Sequence, residues 1–356
     1  MQRQLITGAK RVVLKIGSSL VASRNLGLRH DLIHQLSHDI AELKNQQHEV
    51  VLVSSGAIVA GIDKLGLKSY PQSIPLKQAA AATGQSHLVH AYEKCFQEAR
   101  QKVAQVLLTH QDLTDRKRFL NARNTLTTLI DMGVIPIINE NDTVSVDEIR
   151  FGDNDTLAGQ VAHLVDADLF VILSDVDGLY TKDPRQNPKA ELISEIEEIT
   201  AEIEQVAGIS RSQESRGGMV TKIQAAKHVG QFGVPTLLMN GEKPGLLTEV
   251  FLGKVQGTLI LPQGRRLPSR KHWIAYTLKP TGAVTLDAGA TAAIRKDGKS
   301  LLPAGVQAIQ GDFGEGDCII CLDENGNEFA RGLVNYNAAD LNRIKGVHTR
   351  EIELTL

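Results

Sequence analysis

Two neighbouring segments of the sequence are rich in carboxylate and carboxamide side chains. The first, Asn-Glu-Asn-Asp at residues 139–142, directly follows the apolar run 134–138, and the second is Gly-Asp-Asn-Asp at residues 152–155. A short apolar run rich in β-branched residues predicts a buried strand. Because ligands of open α/β sheets bind beyond the carboxyl ends of the strands, we expect a small polar substrate to bind at this strand end.

Three glycine-containing turns are candidates for contacts with phosphate groups. They are residues 15–19 (Lys-Ile-Gly-Ser-Ser), 54–57 (Ser-Ser-Gly-Ala) and 215–222 (Ser-Arg-Gly-Gly-Met-Val-Thr-Lys). Paired glycines ahead of a helix predicted over residues 221–229 offer backbone amides and the positive end of a helix dipole, which favours an anion. None of the turns matches the P-loop or the dinucleotide-binding fingerprint.

Two lysines, Lys15 and Lys222, lie beside these turns. Lys15 is at the end of an apolar strand, where burial of an ammonium group is unfavourable unless the group forms an ion pair or meets an anion. The residues alone leave two interpretations open, a structural salt bridge and a phosphate site.

The elements that position these residues alternate between strands and helices up to about residue 260. Apolar runs predict strands at residues 12–16, 50–53, 103–108, 134–138, 169–173 and 236–239. An amphipathic helix over residues 31–44 is predicted by apolar residues at helical spacing, namely Leu32, Ile33, Leu36, Ile40 and Leu43. Continuous apolar strands separated by helices predict a mainly parallel sheet covered on both faces, a three-layer α/β/α sandwich.

The sequence changes character near residue 262. Two prolines, a glycine and clustered basic residues within residues 262–272 indicate a linker. Short strands follow at residues 283–286, 306–309, 318–322 and 329–334, and Asp-Glu-Asn-Gly at 323–326 predicts a hairpin turn. We therefore predict a first domain of residues 1–260, a linker of residues 261–279 and a small, mostly β domain of residues 280–356.

Composition and charge argue against several classes of protein. The net charge of the 356 residues is −2, so no overall field attracts nucleic acid or an anionic membrane. The apolar runs are shorter than the roughly 20 residues of a membrane-spanning helix, and no signal peptide is evident. Three cysteines do not form a disulfide framework, which favours a reducing cytoplasm.

Two further patterns have a functional and a structural interpretation. A single CxxC pair, Cys318 and Cys321, does not supply the four ligands of a structural zinc site, so we predict two buried core cysteines. His30, His34 and His38 recur every four residues, a spacing that could form a metal-binding face. Because His34 and His38 lie opposite the apolar stripe of their helix, we predict a solvated face instead.

Several motifs together resemble the amino acid kinase family. They are residues 15–19, 53–58 (Val-Ser-Ser-Gly-Ala-Ile), 121–123 (Asn-Ala-Arg), 138–142, 151–155 (Phe-Gly-Asp-Asn-Asp) and 217–222. The resemblance covers essentially the whole chain, and the pairing of Asn-Glu-Asn-Asp with Gly-Asp-Asn-Asp resembles the branch that phosphorylates glutamate. Residues 289–294, 299–305 and 330–333 resemble the PUA domain that many of these kinases carry.

The resemblance implies a reaction and three catalytic residues. The γ-phosphoryl group of ATP, accompanied by Mg²⁺, would move to the γ-carboxylate of L-glutamate and give L-glutamyl 5-phosphate, the first step of proline biosynthesis. An ionised carboxylate needs no general base, so the obstacle is the approach of an anion to a polyanion. By similarity, Lys15 and Lys222 flank the transferring phosphoryl group, and Asp155 orients the two lysines.

The resemblance also implies a nucleotide site. The residues that would bind ATP are Lys15, Gly17, Ser174, Asp175, Arg216, Gly217, Gly218, Met219, Val220, Thr221 and Lys222. Gly17, Gly56, Gly217 and Gly218 would bring the backbone close to phosphate oxygens. Arg216 departs from the small residue or threonine of many relatives, so it either assists phosphate binding or is solvated. The ligands of Mg²⁺ are not identified.

The implied substrate pocket contains Ser55, Asn139, Asp142 and Asn154. The α-ammonium group of free glutamate needs a carboxylate and amide oxygens, which Asp142, Asn139 and Asn154 supply, and Ser55 can donate a hydrogen bond to a substrate carboxylate. An N-acetylated glutamate carries no ammonium group and would leave Asp142 uncompensated. These residues therefore favour free glutamate.

Two other functions stay open at this point. One is a kinase of the same fold acting on another small acid, such as aspartate. The other is RNA binding through the PUA-like domain, although residues 281–356 contain seven Lys/Arg and eleven Asp/Glu, a formal charge of −4 that does not suit a polyanion. The resemblance further implies a homo-oligomer, dimer or tetramer, and the labile acyl phosphate suggests a reductase partner.

Overall fold

A computed structural model describes residues 2–23, 27–145, 154–184, 186–209, 218–254, 256–263, 278 and 280–347. The chain divides into two compact units, Met1–Leu267 and Pro268–Leu356. Each unit has its own sheet and its own apolar core.

The strands and helices of the first unit alternate along most of its length. Its strands are β1 Arg11–Ile16, β2 Ala22–Ser23, β3 Gly27–Leu28, β4 Glu49–Ser54, β5 Val103–Leu108, β6 Ile135–Glu140, β7 Leu169–Ser174, β8 Glu195–Ile196, β9 Thr236–Asn240 and β10 Thr258–Ile260. Its helices are α1 Gln2–Thr7, α2 Ser18–Val21, α3 His30–Asn45, α4 Ala57–Lys64, α5 Ile74–Glu98, α6 His110–Thr114, α7 Arg116–Asp131, α8 Asn154–Leu164, α9 Ala201–Ile209, α10 Met219–Gly230 and α11 Leu246–Phe251.

A large sheet forms the centre of this unit. Within the described residues it has eight strands in the order β5-β6-β4-β1-β7-β9-β10-β8. Every described pairing in it is parallel except that of β9 with β10. Since β1 pairs with β4 on one side and with β7 on the other, the chain winds outward from β1 in both directions. A crevice at the carboxyl ends of the strands is expected at such a switch point.

The central strands are buried because helices cover the sheet. β6 and β7 are buried throughout, and β1 is buried from Val12 onward. The apolar face of α3, which includes Leu36 and Ile40, packs into the same core. These observations confirm the predicted mainly parallel α/β fold and the helix predicted over residues 31–44.

The second unit is small and mostly β. Its strands are β11 Gly282–Leu286, β12 Val306–Gly311, β13 Cys318–Leu322 and β14 Glu328–Leu333, and its helices are α12 Ala288–Asp297 and α13 Ala338–Ile344. In the part of this unit that the structure describes, the strand order is β12-β11-β13-β14. β13 and β14 form an antiparallel hairpin, and the turn between them, in which Gly326 has a φ of 80°, follows the predicted Asp-Glu-Asn-Gly segment.

The cysteine and histidine predictions can be compared directly with the structure. Cys318 and Cys321 are buried, as predicted, and burial raises the pKa of the Cys321 thiol to about 11. His34 and His38 are exposed on α3, as predicted, and the exposed Glu98 lies beside them, so the sequence argument against a metal-binding face does not decide the question. Among the described residues, no helix is long and apolar enough to cross a membrane.

Candidate active site

Polar residues gather where the central strands of the large sheet end. Across the sheet they are Asn139 and Glu140 at the end of β6, Ser54 and Ser55 at β4, Lys15 and Gly17 at β1, and Ser174 at β7. The four strands are consecutive neighbours, and parallel strands end at the same edge. Three interstrand steps of about 4.8 Å therefore separate the β6 residues from the β7 residue by roughly 14 Å.

A buried trio of charges lies at the middle of this edge. Lys15 Nζ is 2.5 Å from Asp155 Oδ1, and Lys222 Nζ is 3.3 Å from Asp155 Oδ2. Thr221 Oγ1 lies 2.8 Å from Asp155 Oδ2 and also 2.8 Å from the carbonyl oxygen of Gly218. The exposed fraction is 4% for Lys15, 7% for Lys222 and 0% for Asp155. With two ammonium groups and one carboxylate, this buried trio has a net positive charge.

Three elements bring the trio together. Lys15 is in β1, Asp155 is the second residue of α8, and Lys222 is in the first turns of α10. α8 packs against both β1 and α10, and glycine at position 159 permits close packing, because a Cβ there would lie 3.2 Å from Val229 Cγ2. The trio therefore depends on the tertiary packing of segments that are far apart in sequence.

The charge state of Asp155 is fixed by its partners. Burial opposes its ionisation, but the charges of Lys15 and Lys222 and the hydrogen bonds from Lys15 and Thr221 outweigh burial. The pKa of Asp155 is consequently held far below its ordinary value. At neutral pH Asp155 is a carboxylate and not a general acid or base.

A chain of amide groups connects the ends of β6 and β4 to α5. Asn154 Nδ2 donates to the carbonyl oxygen of Ser54 and to Asn139 Oδ1, each at 2.7 Å. Asn139 Oδ1 also accepts from the backbone amide of Glu140 at 2.9 Å, and Asn139 Nδ2 donates to Gln85 Oε1 at 2.8 Å. All three side-chain amides are buried.

Two backbone groups, one at an end of this chain and one at its middle amide, determine the orientation of the amides. The Ser54 carbonyl can only accept, so Asn154 presents its NH₂ group there. The Glu140 amide can only donate, so Asn139 presents its oxygen to it and its NH₂ group to Gln85. Both N–H groups of the Asn154 side-chain amide donate to protein acceptors. These two bonds fix the position of the remaining amide atom, Oδ1, which can only accept hydrogen bonds.

The turn after β4 is supported from behind by α5. Ser54 Oγ and Tyr92 OH are 3.0 Å apart and form a buried hydrogen bond. Ser55 is half-buried, and Gly56 has a φ of 102°, a conformation that side chains disfavour. This glycine lets the chain turn directly from Ser55 into α4.

Several of the nucleotide residues predicted from the sequence lie at the end of β7 and at the start of α10. Ser174 is buried at the end of β7 and donates to the Oδ1 of the exposed Asp175 at 3.1 Å. Gly218 precedes α10, which contains Met219, Val220, Thr221 and Lys222. The Gly17 amide donates to the Leu173 carbonyl at 3.1 Å, so it is engaged in the sheet and is not a donor for phosphate. The available donors of that turn belong to the residues that open α2.

Some residues of the predicted motifs are not among the residues that the structure describes. Arg216 and Gly217 lie outside the described residues, as do residues 152 and 153. Asp142 is half-buried, two residues beyond the end of β6.

Sequence reasoning missed Gln85 and Tyr92. Both lie in α5 on the face that also contains Ala81 and Leu88, at positions spaced by four, three and four residues. Such spacing marks the buried face of a helix, so a glutamine within it is a buried polar residue that requires a partner. That signal was available in the sequence, but the partner, Asn139, became evident only from the fold.

Comparison with known proteins agrees with this architecture. Residues 10–240 match the model of the amino acid kinase family, and residues 282–356 match that of the PUA domain. A protein of Geobacter metallireducens named glutamate 5-kinase is 52% identical over 97% of this chain and 93% of its own length. One of Geobacter sulfurreducens with the same name is 51% identical over 100% and 95%. The solved isopentenyl phosphate kinase of T. acidophilum, at 19% identity, covers 70% of this chain and 99% of its own, with a TM-score of 0.46.

Proposed function

This chain belongs to the amino acid kinase family and to its glutamate 5-kinase branch, and we propose how its residues perform the reaction of that branch. The reaction is the ATP-dependent phosphorylation of glutamate, the first step of proline biosynthesis. We assign the acceptor as the γ-carboxylate and the product as L-glutamyl 5-phosphate. A bond forms between a γ-carboxylate oxygen and the γ-phosphorus, and the bond from that phosphorus to the β-phosphate oxygen breaks to release ADP.

The buried trio of Lys15, Asp155 and Lys222 is the observation that carries this proposal. The acceptor is ionised at neutral pH, so the enzyme has to offset the repulsion between a carboxylate and a triphosphate. Fixed cations in a water-poor site do so without reorganisation during the reaction. Asp155 keeps both ammonium groups charged and holds them at the edge of the sheet where the phosphoryl group is transferred.

The order of the strands in the sheet suggests where each reactant binds along its carboxyl edge. Glutamate binds at the ends of β6 and β4, where Asn139 and Ser55 lie. The phosphoryl group passes over β1 near Lys15, and the nucleotide binds on the β7 side, near Ser174 and Gly218. Roughly 14 Å between the outer strands is enough for an extended glutamate followed by the γ-phosphoryl group.

The amide chain explains selectivity for a free amino acid. Because Asn154 Oδ1 is held as an acceptor, it suits the three N–H donors of an α-ammonium group. Asp142 supplies the opposite charge, and Ser55 donates to a substrate carboxylate. An acylated nitrogen has one N–H and no charge, so it satisfies this arrangement poorly.

Gln85 acts as a positioning residue in this scheme. It does not have to touch glutamate, but its Oε1 accepts the Asn139 NH₂ group and so fixes which face of Asn139 meets Asn154. Loss of this acceptor would leave a buried N–H unsatisfied and free Asn139 to flip.

We propose that Mg²⁺ enters the site with ATP. Both oxygens of Asp155 are engaged by Lys15, Lys222 and Thr221, so Asp155 is not a suitable metal ligand. Mg²⁺ is usually held by substrate phosphates, water and one or two carboxylates, and Asp175, exposed at the end of β7, is the described carboxylate that fits this role. When bound, the ion neutralises charge on the phosphates.

An oxygen-label experiment tests the proposed transfer. Glutamate labelled with ¹⁸O in its γ-carboxylate is incubated with the enzyme, ATP, Mg²⁺ and hydroxylamine, which attacks the acyl carbon and releases the phosphate. We expect the released phosphate to carry one ¹⁸O atom. Unlabelled phosphate would mean that water, and not the γ-carboxylate, accepts the phosphoryl group.

Several predictions about the whole protein accompany this proposal. A homo-oligomer and a reductase that consumes the acyl phosphate are expected from the family, and a cytoplasmic location is expected from the low number of cysteines, three in all. The domain limits of 1–260 and 280–356 also stay a prediction.

A further inference from the structure

Three exposed side chains outside the active site form a compact group of metal-binding type. They are His34 and His38 of α3 and Glu98, the last residue of α5, and one ligand atom of each lies within 4.8 Å of the others. The sequence showed the two histidines on one face of α3. The carboxylate of Glu98 lies far away in sequence, and the fold brings it beside them.

Helix geometry and helix packing hold the group together. Residues four apart on a helix lie one turn above each other, so the two imidazoles are neighbours, with ring centroids 4.5 Å apart. Because α3 packs against α5, the end of α5 brings Glu98 beside them. His34 Nε2 is 3.2 Å from Glu98 Oε2.

These distances suit a small tetrahedral ion. Zinc binds imidazole nitrogen and carboxylate oxygen at about 2.0–2.2 Å, which places two ligand atoms on one ion roughly 3.3–3.5 Å apart. The separation between His34 and Glu98 is already close to this value. A ligand atom of the exposed His38 lies within 4.8 Å of those of His34 and Glu98, so a small movement of its side chain is required to complete the set.

We propose that His34, His38 and Glu98 bind a divalent transition-metal ion of the zinc type, with water in the remaining coordination position. Two neutral imidazoles and a carboxylate form a donor set that suits zinc, cobalt, nickel or copper. Magnesium and calcium prefer oxygen ligands alone, so they are poor occupants. The site is separate from the Mg²⁺ that accompanies ATP, and it does not depend on the proposed reaction.

Calorimetric titration of the metal-free full-length protein with Zn²⁺ tests the site. We expect one ion per chain, and a loss of at least about tenfold in affinity in both His34→Ala and His38→Ala. His90→Ala is the matched control, because His90 is an exposed histidine of α5 whose neighbouring carboxylate, Glu93, is 4.0 Å away. This control should bind Zn²⁺ as the wild type does, and Mg²⁺ should give no comparable binding.

A second measurement identifies the ligands. X-ray absorption of the zinc-loaded protein should show two imidazole nitrogens per ion, and the imidazole signal should be lost in the His34→Ala, His38→Ala double variant. Because the substituted residues are exposed, circular dichroism and kinase activity should be unchanged. Absence of Zn²⁺ binding to the wild type, or undiminished binding by both single variants, would overturn the proposal and leave only a hydrogen-bonded ion pair between His34 and Glu98.

Discussion

The central residues of this kinase are a carboxylate and two ammonium groups that are all nearly inaccessible to water. Burial of charges is unfavourable unless they are paired, and here Asp155 pairs with both Lys15 and Lys222. These ion pairs hold each ammonium group in place. Their net contribution to the stability of the fold is small, because the cost of burying the charges offsets much of their attraction. We therefore expect changes in the trio to affect catalysis first.

Replacement of Lys222 tests its role in transfer. In Lys222→Ala, kcat should fall roughly 10²–10³-fold, because a fixed positive charge at the transferring phosphoryl group is removed. Lys227→Ala is the control, since Lys227 lies on the same helix but is exposed and paired with Glu204 at 2.6 Å. Steady-state kinetics of both proteins, with circular dichroism to verify folding, provide the comparison. A folded Lys222→Ala enzyme with near-normal kcat would exclude the lysine from the mechanism.

The depressed pKa of Asp155 predicts how stability depends on pH. Its pKa in the folded protein lies far below the value of about 3.9 in the unfolded chain, so its ion pairs contribute fully above about pH 4. Below that pH the unfolded chain takes up the proton first, and the contribution declines.

We therefore expect Asp155→Asn to be less stable than the wild type by about 3 kcal/mol at pH 7, because two buried lysines lose their partner. The difference should be constant from pH 7 to pH 5 and should shrink below about pH 4. Urea unfolding at a series of pH values measures it. A difference that does not narrow in acid would contradict the assignment of charge at Asp155.

Two substitutions of Gln85 test whether the oxygen that it presents to Asn139 is required. Gln85→Leu removes the acceptor and should raise KM for glutamate roughly tenfold or more while leaving KM for ATP unchanged. Gln85→Glu keeps an acceptor oxygen and should retain most of the affinity. A normal KM for glutamate in both variants would show that Gln85 only fills space, and equal impairment of both would show that the acceptor oxygen is not the determining feature.

At the scale of elements, the crossing of α4 and α5 positions the substrate side of the site. A Cβ added at Gly84 would lie 1.9 Å from the Ala57 carbonyl oxygen and 2.4 Å from the Gly61 amide nitrogen. The two helices therefore touch backbone to backbone. Because α4 begins directly after Ser55 and Gly56, any separation of the helices displaces the turn that holds Ser55.

Gly84→Ala should consequently destabilise the protein by about 2 kcal/mol or more and raise KM for glutamate. Gly208→Ala is the matched control, because a Cβ at this position of α9 meets no atom within 4 Å in the described part of the chain. That substitution should be neutral or stabilising by up to about 1 kcal/mol. Urea unfolding and glutamate kinetics compare the two, and equal stability of both variants would contradict the packing argument.

Much of the fold could be predicted from the sequence, since strands that are buried on both sides consist of continuous apolar runs. The runs at 12–16 and 169–173 fall within β1 and β7, with ends that differ by one residue. β8 and β10 were not predicted, because strands of two or three residues carry too little pattern. The site was predicted less completely, because the contacts of Gln85 and Thr221 depend on helix packing that no local pattern encodes.

At the scale of the whole molecule, the two units have different electrostatic character. The catalytic lysines proposed for the kinase unit are buried at the carboxyl edge of the sheet, whereas residues 281–356 contain seven Lys/Arg and eleven Asp/Glu. An acidic surface does not release counterions from a nucleic acid backbone. The absence of RNA binding stays a prediction from this charge, and the activity is assigned to the kinase unit.

The most direct test of that activity compares three acceptors in one assay. The full-length protein is incubated with ATP, Mg²⁺ and hydroxylamine, and hydroxamate formation is measured with glutamate, N-acetylglutamate and aspartate in parallel. We predict hydroxamate from glutamate alone, because the proposed pocket suits a free ammonium group and the proposed binding mode brings the γ-carboxylate to the phosphoryl group between Lys15 and Lys222. Hydroxamate from N-acetylglutamate, or from none of the three acids, would contradict this account.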